Sequence, residues 1–424
     1  MSRTILSAFF FVAAWAAFAQ TIAVRAGHLV DPATASVSED QVILIQDGKI
    51  TAVGASVQIP PEAQIIDLSH DWVMPGLVDA HTHITQNLPP NPPGESLWES
   101  YIVRESTGLR VARGLRNAQI LLEAGFLCLR DVGNSADYAD TAMRQAIERG
   151  WFPGPTIMNS GKIIAPFGGQ THDYAPEQGR FWSIEYIDAD TPDEIRKAVH
   201  QNIYYGAKLI KLAADNSSFH YTEQDIHAAA DEAHRAGLAV AVHVYGGQAA
   251  RDAINGGADS IEHGFDLTDD LLQLMKSKGT YLVGTDFPYE HLVALGAVGS
   301  LDAKETSRKI IDRLIRAHKI GVKMAFGSDV VVDLPGKTRA DMAFDYIAIW
   351  QKAGIPAPDI LRAFTTSGFE LLRLDKERGP ISPGRAGDII ALPGNPLQDI
   401  QVLRKVNFVM KDGKVIKGPM AVKK

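Results

Sequence analysis

Four histidines, an aspartate and a lysine stand at the ends of short apolar runs, and their types are those of a metal centre. One run closes as Asp79-Ala80-His81-Thr82-His83. Residues two apart on a strand project from the same face, so His81 and His83 would address one volume. Further along, Ala241-Val242-His243, Ile261-Glu262-His263-Gly264 and Phe326-Gly327-Ser328-Asp329 end in the same kinds of group, and Lys208-Leu209-Ile210-Lys211 carries two lysines. Imidazole nitrogens and carboxylate oxygens are the donors that zinc and similar divalent ions take. Singly, each has an ordinary explanation. A strand histidine is usually a satisfied core or surface residue, a strand lysine reaches out to water, and Gly-Ser-Asp makes a turn or a helix cap. Recurrence at five run ends is what favours the metal reading.

The elements that must position these groups can be read from periodicity. Apolar, β-rich runs occupy 73–83, 126–132, 155–160, 207–212, 238–243, 260–263, 280–285 and 323–329, and amphipathic helical stretches at 140–148, 192–205, 223–236 and 304–319 fall between them. Eight strands alternating with helices predict an α/β fold, a TIM (β/α)8 barrel, whose active site lies at the C-terminal ends of its strands. A doubly wound open sheet would also alternate, but its Gly-rich phosphate turn is absent. Asp47-Gly48 and Asp412-Gly413 each separate two apolar runs and predict tight hairpins. The two β-rich ends, 20–74 and 380–424, are therefore expected to build one small β-sandwich domain beside the barrel at 75–379.

With these motifs in place, the chain resembles the amidohydrolase superfamily. Pro75-Gly76-Leu77-Val78-Asp79-Ala80-His81-Thr82-His83 is similar to its signature, and 206–212, His243, Glu262-His263-Gly264, Gly327-Ser328-Asp329 and the glycine-rich 384–390 segment match its companions. The resemblance spans essentially all of the chain after residue 19. The nearest subgroup is the imidazolonepropionase-like amidohydrolases, and within it the Xaa-Pro-type dipeptidases and the bacterial ochratoxin A hydrolases.

That resemblance implies two divalent metal ions, with zinc the expected one. His81, His83 and Asp329 would hold the more buried ion, and His243 and His263 the second. Lys211 would be N-carboxylated and bridge the pair. A lysine ammonium would repel two dications, whereas a carbamate is an anion with two oxygens. Lys208 competes for this role, but Lys211 occupies the matching position, and three residues along a strand the two lysines face opposite sides. Two ions about 3.5–4 Å apart share a water and ionise it near neutral pH. Asp329, Tyr245 and His263 are the expected catalytic side chains: Asp329 would carry the proton to the leaving amine, and Tyr245 would bond the substrate carbonyl. The metal-binding histidines must be neutral, which predicts loss of activity in acid.

Other polar residues read less sharply. Many relatives have Gly-Gly-His where this chain has Gly168-Gly169-Gln170-Thr171-His172, so the insertion leaves His172 as a substrate residue in question. Arg130-Asp131 matches a family motif and reads best as a structural ion pair beneath the site. His291 and Arg339 follow the last two strands, where either could meet a substrate carboxylate. Histidines 28, 70, 200, 220, 227, 234 and 318 read as surface or helix-face residues.

Composition narrows the remaining classes. A formal charge of −8 gives no support to a nucleic-acid partner. The single cysteine, Cys128, excludes an internal disulfide. Residues 1–19 read as a cleaved signal peptide, with Arg3, an apolar run and Ala17-Phe18-Ala19, so an exported periplasmic or secreted protein without a stable membrane anchor is expected. The substrate would be a dipeptide or an N-acyl amino acid with a free C-terminal carboxylate, a class that includes the cleavage of ochratoxin A to ochratoxin alpha and phenylalanine. A cyclic amide or lactone hydrolase of the imidazolonepropionase type is the alternative. A non-catalytic ligand-binding relative would normally have lost ligands, and all six are present. By resemblance, the chain forms a homo-oligomer, with octamers known among similar proteins.

Overall fold

Both Asp-Gly pairs form the turns their sequence asks for. In the computed structural model, φ is 51° at Asp47, 76° at Gly48, 49° at Asp412 and 72° at Gly413. Two successive positive φ values define the hairpin turn that matches strand twist, and Asp and Gly tolerate them. One turn joins Ser36–Gln46 to Lys49–Gly54, the other Phe408–Lys411 to Lys414–Lys417. The turns abut: a Cβ on Gly413 would lie 3.0 Å from the Gly48 Cα. The structure describes residues 21–90, 97–171, 174–215, 219–296 and 302–423, so the expected signal peptide lies outside them.

Strands from both ends of the chain join in one connected eight-stranded sheet. Its order runs Lys414–Lys417, Phe408–Lys411, Ile389–Leu392, Gln64–Pro75, Thr21–Asp31, Ser36–Gln46 and Lys49–Gly54, and Val422–Lys423 also pairs with Gln64–Pro75. The long strand Gln64–Pro75 joins the two halves, because it bonds N-terminal strands on one edge and C-terminal strands on the other. Val24, Ile43, Ile66, Ile389, Phe408 and Met410 form the buried core of this domain.

In the central domain all the ladders are parallel. One sheet contains Leu77–Thr82, Phe126–Asp131 and Thr156–Asn159; the other runs Tyr281–Val283, Ser260–Asp266, Ala239–Gly246, Leu209–Ala213, Ile163–Ala165 and Tyr186–Asp188. The third run, 155–160, forms Thr156–Asn159, and the short strands Ile163–Ala165 and Tyr186–Asp188 lie outside every expected run. The eighth run, 323–329, forms no ladder beyond the bridge between Leu282 and Met324. Single backbone bonds link the sheets instead. Lys208 N donates to Asn159 O at 2.7 Å, Leu282 N to Lys323 O at 2.8 Å, Ala80 N to Phe326 O at 2.8 Å and Asp329 N to His81 O at 2.7 Å. Gly327 lets the chain through this gap: a Cβ there would meet Val283 Cγ1 at 2.4 Å and His81 Cβ at 2.6 Å.

The helices pack outside these strands and begin where capping chemistry places them. Pro192–Tyr204, Glu223–Arg235 and Arg339–Lys352 each start with a capping box, made by Thr191 with Glu194, Thr222 with Asp225 and Thr338 with Asp341. Among the described residues no helix is long and apolar enough to cross a membrane.

Candidate metal centre

The structure brings His81, His83, His243, His263, Lys211 and Asp329 to one end of the parallel strands, all buried. Second partners fix how the first two imidazoles point. His81 Nδ1 lies 2.6 Å from Glu262 Oε2, and His83 Nδ1 lies 2.7 Å from the carbonyl oxygen of Gly133. A carbonyl oxygen only accepts, so His83 Nδ1 carries the proton and Nε2 is bare. The carboxylate fixes His81 in the same way. Both Nε2 atoms then face Asp329 Oδ1, at 3.7 Å from His81 and 3.4 Å from His83. His81 Nε2 is buried and has no hydrogen-bond partner. An orphaned acceptor of this kind, beside a second bare nitrogen and a carboxylate, fits a divalent cation.

The remaining ligand candidates surround this point. His263 Nδ1 lies 2.8 Å from Thr285 Oγ1 and 3.8 Å from Asp329 Oδ2. Ligand atoms of His81, His263 and Asp329 all lie within 4.8 Å of one another. The ring of His243 is 4.4 Å from that of His263. Lys211 is buried on Leu209–Ala213, and its charge acts on His81, His83, His243, His263 and Asp329. Lys208 is exposed and lies before that strand, so Lys211 alone of the pair faces the site.

Local backbone strain completes the arrangement. His263, Thr285 and Asp329 have φ of 68°, 42° and 48°, left-handed values that cost a non-glycine residue of order 1 kcal/mol or more. Consecutive strand residues normally alternate between faces. Glu262 nevertheless bonds His81 while its neighbour His263 approaches Asp329, and the positive φ of His263 is what turns both toward the centre.

Burial sets the charge states of the site. Desolvation lowers His81, His243 and His263 well below the usual histidine value, and His83 to about 3. The rings are thus neutral, as ligands must be, and the acid loss expected from free imidazole is moved to lower pH. Desolvation also raises Asp329 to about 8 and brings Lys211 down to about 8.

The structure also places the other residues singled out in the sequence. Arg130 enters a buried ion pair of the structural kind read for its motif, and the partner is Glu262: Arg130 Nη2 lies 2.7 Å and 2.9 Å from the two Glu262 oxygens. Asp131 instead accepts from the Ile84 N–H at 2.7 Å and the Ser135 hydroxyl at 3.1 Å. Neither His291 nor Arg339 is available to a substrate carboxylate. His291 is buried 3.5 Å from Asp345, and Arg339 donates to the carbonyls of His83, Gln86 and Val330. Tyr245 is half-buried at the rim, stacked on Phe265, with its ring 4.9 Å from that of His243. His172 lies outside the described residues.

Four residues near the centre carried no role in the sequence reading. Glu262 orients His81, Thr285 holds His263, Gln170 Nε2 lies 3.1 Å from His243 Nε2, and Asp215 Oδ1 lies 3.6 Å from the same nitrogen. Asp215 shares the strand parity of Lys211, four residues on, and that was a usable signal. The pieces of 156–171 gave none for Gln170.

A parallel α/β domain with a histidine-rich, carboxylate-containing centre at its strand ends defines a metal-dependent hydrolase. The chain belongs to the Amidohydrolase family, whose family model matches residues 72–416; it is a hydrolase acting on amide bonds. It is 28% identical over 447 residues to the ochratoxinase of Aspergillus niger, a match covering 95% of this chain and 88% of that one. Among solved structures, it resembles a Xaa-Pro dipeptidase with bound methionine in the active site, at a TM-score of 0.80 and 28% identity, covering 94% of this chain and 100% of that one. A second is Aspergillus niger ochratoxinase, with a TM-score of 0.78 and 25% identity over 95% of this chain and 96% of that one.

Proposed function

We propose that this amidohydrolase binds two divalent ions, zinc the expected metal, and hydrolyses the amide bond to a C-terminal amino acid. Its substrate is a dipeptide or an N-acyl amino acid of the ochratoxin A kind. The observation that carries this reading is the convergence of two bare imidazole nitrogens on Asp329 Oδ1, at 3.7 and 3.4 Å. Similarity to an ochratoxinase and to a Xaa-Pro dipeptidase supports the substrate class, because the one is named for ochratoxin and the other for a dipeptide. The bonds joining the two parallel sheets support a closed (β/α)8 barrel as the scaffold.

His81, His83 and Asp329 would hold one ion, and His243 and His263 the other, with a carboxylated Lys211 between them. Such ions supply a Lewis acid for the scissile carbonyl and lower the pKa of water. A fully buried lysine with no ion-pair partner among the described residues suits carboxylation, since only the neutral amine adds carbon dioxide. Asp329 takes the proton of the attacking water and delivers it to the amide nitrogen, which otherwise leaves poorly. The Tyr245 hydroxyl, at the rim beside His243, donates to the substrate. The apolar amino-terminal stretch supports export, and family likeness supports a homo-oligomer.

The test is hydrolysis of a panel followed by mass spectrometry, with protein as purified, chelated and reloaded with zinc. The panel holds Xaa-Pro, Xaa-Phe and Xaa-Arg dipeptides, ochratoxin A, a lactone and a cyclic amide. Chelator-sensitive release of a C-terminal amino acid is expected. Asp329→Asn should keep the fold and most of the metal while lowering kcat by about 10²–10⁴-fold. Cleavage of ring substrates alone would move the assignment to cyclic amides, and near-full activity of Asp329→Asn would remove the proton-carrying role.

A further inference from the structure

We propose that Asp215 is an additional ligand of the second ion, paired with His243. The inference rests on the two-ion reading above. Asp215 stands two residues beyond the strand Leu209–Ala213. One of its oxygens is already committed: Oδ2 accepts the Tyr245 backbone N–H at 2.8 Å. That bond aims the other oxygen. Oδ1 lies 3.6 Å from His243 Nε2, and among the described residues Asp215 is the only carboxylate within 4 Å of His243. Oδ1 is shielded from water and has no hydrogen-bond donor.

A buried carboxylate oxygen without a donor or a cation is costly, and among the described residues no lysine or arginine pairs with Asp215. Beyond the His243 nitrogen stands the Gln170 amide, held to His243 at 3.1 Å. Two donors that each sit about 2.0–2.2 Å from a zinc ion can be separated by 3.6 Å. His243 Nε2 and Asp215 Oδ1 can therefore face one cation, with Gln170 turning aside. A substrate ammonium would also satisfy the oxygen. The pairing of Oδ1 with a histidine expected to bind metal, away from bulk water, favours the ion. A carboxylate at this position adds negative charge to the second ion's environment and tightens its hold.

The experiment compares wild type with Asp215→Asn. Asparagine can still accept the Tyr245 N–H, so the loop position is preserved while the charge is lost. Circular dichroism establishes folding, and metal content is followed by mass spectrometry during dialysis against a graded chelator. Wild type should retain two ions per chain. The variant should release one of them at about ten-fold lower chelator strength or less, with the other unchanged. Cobalt-loaded protein should show a matching loss of half its visible absorption. Equal retention of both ions by the variant would overturn the proposal. So would unchanged metal binding combined with a raised KM for free-amino dipeptides but not for their N-acetyl forms, which would assign Asp215 to the substrate ammonium. Fewer than two ions in wild type would overturn both this proposal and the two-ion reading.

Discussion

At the scale of single residues, the site depends on groups that never need to touch a substrate. Glu262 is the main one. It accepts from Arg130 through both oxygens and from His81 Nδ1, and all three side chains are buried. The carboxylate fixes the His81 tautomer, and the guanidinium fixes the carboxylate. Glu262→Gln would leave Arg130 as an uncompensated buried charge, which costs about 3–5 kcal/mol, and would loosen the orientation of His81. The expected outcome is a lower urea midpoint for the metal-free protein together with weaker metal retention. If the midpoint and the retention both match wild type, Glu262 does not position the histidine. The same pair shows where sequence reading reached its limit. Arg130 and Glu262 lie 132 residues apart, so nothing local pointed from one to the other.

At the scale of elements, the least regular run carries Asp329, on which the bare imidazole nitrogens of His81 and His83 converge. The 323–329 segment threads between Leu77–Thr82 and Tyr281–Val283 with a single bridge and a few backbone bonds. Its apolar composition reads as a strand, but Gly327 and the positive φ of Asp329 break the ladder where it would otherwise continue. Gly327→Ala should place a methyl group against Val283 and His81 and cost about 1–3 kcal/mol. Because His81 is one of the atoms displaced, kcat should fall along with the melting temperature. Thermal unfolding and turnover measured on the same preparation check this, and a variant unchanged in both would show that the gap has room to spare. The helices were more legible than this strand, because capping boxes such as Thr191 with Glu194 mark a boundary with local chemistry alone.

At the scale of the whole molecule, ion binding and folding should be linked. The candidate ligands come from segments spread over residues 81 to 329, so an ion held by them would join distant parts of the chain. A ligand that binds only the folded state adds about 2.7 kcal/mol at a hundred times its Kd. Removing the metal should therefore lower the melting temperature, and adding zinc back should restore it. A melting temperature indifferent to chelation would argue that the histidine cluster binds no ion of consequence to the fold. The β domain built from both ends should unfold together with the parallel domain, since Ile390 and Val406 pack in the same core as Phe126 and Phe326.

What the sequence determined by itself was whatever short-range chemistry controls. Asp47-Gly48 and Asp412-Gly413 specify their turns through allowed φ values, helix starts follow from capping side chains, and the alternation of runs and helices gives a parallel α/β domain. The chemical types at the candidate site were equally readable, because His81, His83, His243, His263 and Asp329 each end an apolar run. Tertiary structure decided what lies across space. It chose Glu262 as the partner of Arg130, drew Arg339 and His291 into backbone and ion-pair contacts, turned His263 by a strained φ, and set Asp215 beside His243. These depend on which strand ends meet at one mouth, and that is fixed by the packing of distant segments rather than by any residue's neighbours in the chain.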